Sequence, residues 1–124
     1  MIYRIAEPED WASAQRKGEF ASADLADEGF IHCSEQHQVA RTARKYYAGK
    51  TALVLLEIDE TLLGAALGRE DLTGSGVFPH VYKPIQLSAI VRHFDFTVAD
   101  DGRCTLPAGL GWSSSISDRI VSGD

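Results

Sequence analysis

Gly29-Phe30-Ile31-His32-Cys33-Ser34 is the stretch from which the rest of the chain can be read. A glycine opens it and two large apolar residues follow. It closes on an imidazole, a thiol and a hydroxyl, just where helical periodicity begins. That is the pattern of a short strand delivering polar groups to the end of a sheet. Its counterpart is Phe78-Pro79-His80-Val81-Tyr82. Proline there restrains its own backbone and its predecessor's, and so fixes the direction of His80. The expectation is that the two segments meet and that His32 and His80 face one cavity.

Downstream of the first segment, Ser34 is placed as a helix N-cap, with Glu35 suited to the positive end of the helix dipole. Val39, Ala43 and Tyr46 or Tyr47 recur at helical spacing, so a helix runs to about Ala48 and stops at Gly49. Thr51 to Ile58 is apolar on both faces and reads as a central strand. Asp59 to Gly64 reads as a helical turn and Ala65 to Glu70 as another strand. Leu72-Thr73-Gly74-Ser75-Gly76 is a loop in which glycine lets the backbone approach a ligand. Leu87 to Val98 reads as a strand, and the Asp100-Asp101-Gly102 turn returns it through Cys104 to Leu106 as a hairpin.

Upstream, Met1 to Ala6 alternates as a strand, with Ile2 and Arg4 on one face and Tyr3 and Ile5 on the other. Glu7-Pro8-Glu9-Asp10 is a helix start, Trp11 and Ala14 share a stripe, and Gly18 is the stop. Glu19 to Glu28 shows little periodicity and reads as an irregular connector, with one helical turn near Ala21 to Leu25. Several late strands come in succession rather than alternating with helices. The fold class is therefore α+β: a single domain, mostly antiparallel, with flanking helices. The domain is expected over residues 1–107. Residues 108–124 read as a loosely held tail in which Trp112 and Ile116 pack.

The 124 residues carry 12 basic and 18 acidic side chains, a formal charge of −6. That balance argues against a nucleic-acid surface, which leans on clustered Lys and Arg. The basic group Arg41, Arg44, Lys45 and Lys50 reads as a solvated helix face. No apolar run approaches a membrane span. The opening Met1-Ile2-Tyr3-Arg4 does not read as a secretory leader, and two cysteines do not make a disulfide framework. A reducing cytoplasm is the expected setting. Oligomeric state is left open.

The two histidine segments, together with Ile2-Tyr3-Arg4-Ile5, Trp11, the run Asp27 to Ser34, Gln38 and Glu70, resemble a bacterial and plant family of uncharacterised proteins, the DUF952 family. The resemblance spans about residues 1–107. It implies an ADP-ribosyltransferase-like fold, a split and mostly antiparallel sheet with an NAD-binding cleft. It further implies that His32 and Ser34 match the strand-borne His-x-Ser/Thr element that contacts a cofactor ribose. Tyr82, Tyr46 or Phe78 would then supply a stacking ring, and Glu70 or His80 would complete the site. Relatives usually carry Trp before the acid and Arg three residues after it, where this chain has Arg69 and Thr73. Either a phosphate contact is gone or Arg69 supplies it.

The site expected from residues and resemblance together has His32, Glu70 and His80 as catalytic groups and Ser34, Phe78, Tyr82 and Arg69 as ligand contacts. The partner is a small molecule, a nucleotide with NAD possible as cofactor. The chemistry is transfer or hydrolysis at a glycosidic or phosphate centre. The alternative is a non-catalytic binding or regulatory domain with the same cleft. A metal site from His32, Cys33, His37 and His80 is disfavoured because alternation turns Cys33 away from His32. Thiol chemistry at Cys33 has no Cys-x-x-Cys pattern behind it.

Overall fold

The computed structural model describes residues 1–110. Strand β1 (Ile2–Ala6) leads into helix α1 (Pro8–Lys17), which begins and ends on the expected start and stop signals. Pro8 occupies the first turn, and Gly18 closes the helix in the left-handed region at φ 84°. A side chain at that φ would meet its own backbone, which is why glycine is favoured there.

The connector after Gly18 is more ordered than its sequence suggests. Strand β2 (Glu19–Phe20) pairs with β7 (Ile85–Gln86), and helix α2 (Ala23–Glu28) follows. A two-residue strand has no periodicity to read. Phe20 is fully buried, and that burial holds the ribbon.

Strand β3 (Ile31–His32) runs antiparallel to β6 (Phe78–Val81), and β6 to β5 (Leu67–Glu70). The other large sheet has β4 (Leu53–Ile58) between β1 and β8 (Ile90–Phe96), also antiparallel. A bridge between Tyr3 and Ser34 joins β1 to the chain leaving β3. The six strands therefore follow one another as β8-β4-β1, then β3-β6-β5, with a seam between β1 and β3. The domain is α+β and mostly antiparallel, as expected.

Both faces of β4 are covered. One face joins Ile2, Phe20, Ile31, Leu56, Ile58, Val81 and Ile85 under α1; the other joins Tyr3, Ile5, Leu53, Leu55 and Phe96 under Val39 and Ala43 of helix α3 (Val39–Tyr46). The one acid in β4, Glu57, is buried. It lies opposite Tyr3 in β1 and Arg92 in β8, its cross-strand neighbours on either side. Tyr3 Oη donates to Glu57 Oε2 at 2.9 Å, and Arg92 donates through Nε and Nη2 at 2.6 and 3.1 Å. Those bonds replace the water that a buried carboxylate loses.

Two local expectations change. Ser34 is not the helix cap, because its N–H and C=O are taken by the bridge to Tyr3, both at 2.8 Å. A 3-10 turn (Gln36–Gln38) begins one residue later, where the Glu35 N–H donates to Gln38 Oε1 at 2.9 Å. The expected hairpin beyond β8 reduces to a single bridge between Val98 and Cys104. Its turn nonetheless packs closely: a Cβ at Gly102 would stand 2.6 Å from Arg44 Cγ. Leu110 is buried in the α3-side core, so the chain is still packed at that point. Trp112 and Ile116 lie outside the described residues. No helix among the described residues is long and apolar enough to cross a membrane.

Candidate functional site

The seam opens into a cleft of about 1030 Å³, walled by β1, β3, β6, the α2 turn, α3 and the 72–76 loop. Register puts its first pair in place, since His32 in β3 lies directly opposite His80 in β6. Their rings are 5.5 Å apart, edge to face, and both line the cleft. The two segments meet as the sequence anticipates.

Period-two alternation explains the company they keep. Phe78 and His80 project from one face of β6, and Phe30 shares the side of His32. Phe30 stacks on His80 at 4.2 Å and also contacts His32 at 4.8 Å and Tyr82 at 5.4 Å. Glu70, opposite Phe78 in β5, stands diagonal to His80. Its Oε1 accepts from His80 Nδ1 at 2.8 Å and from Tyr82 Oη at 2.5 Å. The Tyr82 and His80 hydrogen bonds hold the Glu70 carboxyl below its ordinary value, and Glu70 in turn raises the Tyr82 phenol.

Because a carboxylate only accepts, Nδ1 of His80 carries a hydrogen, so in the neutral ring Nε2 is the acceptor. His80 itself is buried to 5% exposure among rings, while His32 is half exposed with Nε2 3.0 Å from Glu28. His80 is thus an oriented, buried group, and His32 is the more exposed of the two.

Ser34 lines the cleft with its hydroxyl 3.3 Å from Thr42. Phe78 lines it as well, with Arg41 5.6 Å from its ring centre. Tyr82 does not line the cleft; it braces Glu70 from the solvent side. Arg69 is not brought to the site. It alternates to the other face of β5, where it bonds Glu35 at 2.6 Å and Glu60 at 2.8 Å. Those two carboxylates raise its pKa and leave the cleft without that cation.

Cys33 belongs to the core. Burial pushes its thiol up to about 12, the opposite of what thiolate chemistry needs. No group of three or more metal-ligating side chains converges among the described residues.

Sequence reasoning missed several wall residues. Arg4 Nη1 reaches across the seam to Asp24 at 2.7 Å and to the His32 carbonyl at 2.9 Å, and the His32 N–H donates to the same Asp24 oxygen. Burial works against both charges. The Arg4 guanidinium still holds the Asp24 carboxyl below its usual value, and Asp24 holds Arg4 charged. Nothing local in the sequence links positions twenty residues apart. Phe30 and Glu28 were more accessible, because they stand two and four residues before His32, spacings that favour one side of a strand and one helical turn.

The chain belongs to the family described as "Protein of unknown function (DUF952)", whose model matches residues 5–93. It is 38% identical to protein CC0527 from Caulobacter crescentus in an X-ray structure, at a TM-score of 0.75, covering 84% of this chain and 92% of that one. A solution NMR structure of CC0527 gives 38% identity and a TM-score of 0.71, covering 82% and 89%. No functionally curated protein matches the chain.

Proposed function

We propose that the cleft binds a small nucleotide-type molecule, within an architecture of the ADP-ribosyltransferase-like kind. The observation that carries the reading is the cross-strand pair of His32 and His80 lining a cleft formed where a sheet divides. In this reading Phe30, Phe78 and the imidazoles hold a planar ring by stacking. His80 Nε2 accepts a proton or hydrogen bond from a ligand hydroxyl, and His32 donates or accepts at the same group. Glu70 is a positioning residue that fixes the His80 tautomer, with Tyr82 behind it. NAD or ADP-ribose is the ligand class to try first.

A thermal-shift series against NAD, ADP-ribose and nicotinamide, with His32→Ala and His80→Ala, tests the reading. A ligand that binds only the folded state stabilises it by about 2.7 kcal/mol at a hundredfold excess over Kd. The expected result is a rise in Tm that both variants abolish. No rise with any of the three, in a protein that melts cooperatively, sinks the nucleotide reading.

The non-catalytic binding reading is favoured by a different observation. Thr73 stands on the cleft wall, and Arg69 is tied to two carboxylates on the other face. Binding of a nucleotide that is recovered unchanged after long incubation would select that alternative.

A further inference from the structure

We infer that the α3 wall of the cleft is a diphosphate-binding subsite built on Arg41 and Lys45, and that it takes the anionic end of a small-molecule ligand. The inference rests on the nucleotide reading only for what else the ligand carries. The subsite itself is argued from charge and placement.

Arg41, Thr42, Lys45 and Tyr46 all line the cleft, whereas Val39 and Ala43 of the same helix are buried in the core. One face of α3 therefore borders the cleft, and Arg41 and Lys45 stand exposed on it, within reach of a ligand from solvent. Arg41 and Lys45 stand one turn apart, a spacing of about 5–6 Å between Cβ atoms, which suits two adjoining phosphoryl groups.

The other cations on the wall are neutralised. Arg4 is paired with Asp24, and Lys50 with Glu7 at 2.8 Å. Arg41 and Lys45 have no carboxylate partner among the described residues. Arg41 donates from Nη2 to the Ser75 carbonyl at 2.8 Å and lies over the Phe78 ring, which directs its head across the cleft. Lys45 Nζ sits 5.2 Å from the Tyr46 ring centre. The acids of the wall are largely engaged too: Glu7 by Lys50, Asp24 by Arg4, Glu28 by His32 and Glu70 by His80. Asp10 lies on the Arg4 side of the cleft.

Arg41 and Lys45 are thus two cations without a carboxylate partner among the described residues, on one stretch of wall, in a cleft otherwise lined by Arg4, Lys50 and the carboxylates of Glu7, Asp10, Asp24, Glu28 and Glu70. Guanidinium and ammonium groups at close range bind phosphoryl oxygens by charge-assisted hydrogen bonds. The hydroxyls of Thr42, Thr73 and Ser75 on the same wall offer further donors.

The test is a titration of the isotope-labelled protein with sodium pyrophosphate at constant ionic strength, followed by amide chemical shifts. Saturable shifts centred on Arg41, Thr42, Lys45 and Gly76 are expected, with orthophosphate binding more weakly. Arg41→Gln/Lys45→Gln should weaken pyrophosphate at least about tenfold, since each lost charge-assisted bond is worth more than one decade in affinity. Arg16→Gln/Lys17→Gln, which removes two cations at the end of α1, should not.

Shifts that fail to saturate, or a Kd unchanged by the α3 pair, overturn the inference. If pyrophosphate binds on α3 but no nucleotide stabilises the protein, the nucleotide reading fails and the subsite stands. If NAD binds through His32 with the α3 variant unaffected, the subsite fails and the reading stands. A single-stranded oligonucleotide that outcompetes pyrophosphate, with a steeper salt dependence than two contacts give, would overturn the small-molecule assignment.

Discussion

Glu57 and Glu70 each accept a hydrogen bond from a tyrosine and a bond from a basic side chain, and they are put to opposite uses. Glu57 sits at 1% exposure in the middle strand, between Tyr3 and the permanently charged Arg92. Glu70 sits on an edge strand between Tyr82 and His80, whose ring faces the cleft. An arginine offers no proton to exchange near neutral pH, so the first arrangement is fixed charge holding three strands in register. Histidine exchanges one, so the second orients a group that can change its charge. The same carboxylate and phenol brace three strands in one place and hold a cleft-lining histidine in the other. The base and the solvent decide which.

The largest effect expected from breaking that contrast is at Arg92. Arg92→Ala leaves the Glu57 carboxylate buried without its cation, and should cost about 3 kcal/mol in denaturant unfolding. Ligand response, measured at a temperature where the variant is folded, should survive. A loss below about 1 kcal/mol would mean that Tyr3 and water suffice for Glu57.

The Arg4–Asp24 pair lies between the two cases, nearly buried yet on the cleft. Asp24 has its pKa lowered on folding, so its contribution is fully present above the ordinary carboxylate value of 3.8 and is lost as pH falls through the lower folded value. Asp24→Asn should destabilise by about 2 kcal/mol at neutral pH. Its melting temperature should then approach that of the wild type as pH drops below that ordinary value. Parallel acid limbs would show that the pair contributes nothing through ionisation.

Glu70→Gln sharpens the contrast from the other side. The amide can still meet His80 and Tyr82, so the fold should melt close to wild type, while nucleotide-dependent stabilisation falls. The His80 tautomer, read from long-range nitrogen–proton couplings, should shift from a single form to a mixture. An unaltered tautomer would remove Glu70 from the positioning role. The smallest effect belongs to Arg69→Ala, a partly exposed pair expected to cost about 0.5 kcal/mol and to leave ligand response intact. A lost response there would bring Arg69 back into the site.

The legible parts of this molecule were those written in local periodicity. Alternation in Ile2 to Ala6, the apolar run in β4 and the stop at Gly18 each depend on a few neighbouring residues, and each matches the structure. The meeting of His32 and His80 was legible for a different reason: a specific pair of motifs, not a period. What failed was non-local. Ser34 looked like a cap because a strand bridge to Tyr3 cannot be seen from its flanks. The stretch Thr51 to Ile58 reads as apolar on both faces, and the buried role of Glu57 within it is hidden because its partners are 54 and 35 residues away. Arg41, Arg44, Lys45 and Lys50 are exposed, as a solvated face requires; that Arg41 and Lys45 also border the cleft could not be read from helical spacing alone. Arg69 was placed in the site by adjacency to Glu70, although in a strand adjacency means the opposite face.

The seam between β1 and β3 has a mechanical consequence. Two backbone hydrogen bonds of Tyr3 and Ser34, with the Arg4 side chain laid across, tie two three-stranded halves at the floor of the cleft. A long ladder shares strain over many rungs, whereas this joint concentrates it on one. Any molecule that grips both walls stiffens the joint without touching it. Exchange of the Tyr3 and Ser34 amide hydrogens is therefore the place to look for occupancy: the proposed ligand, spanning the cleft, should slow it.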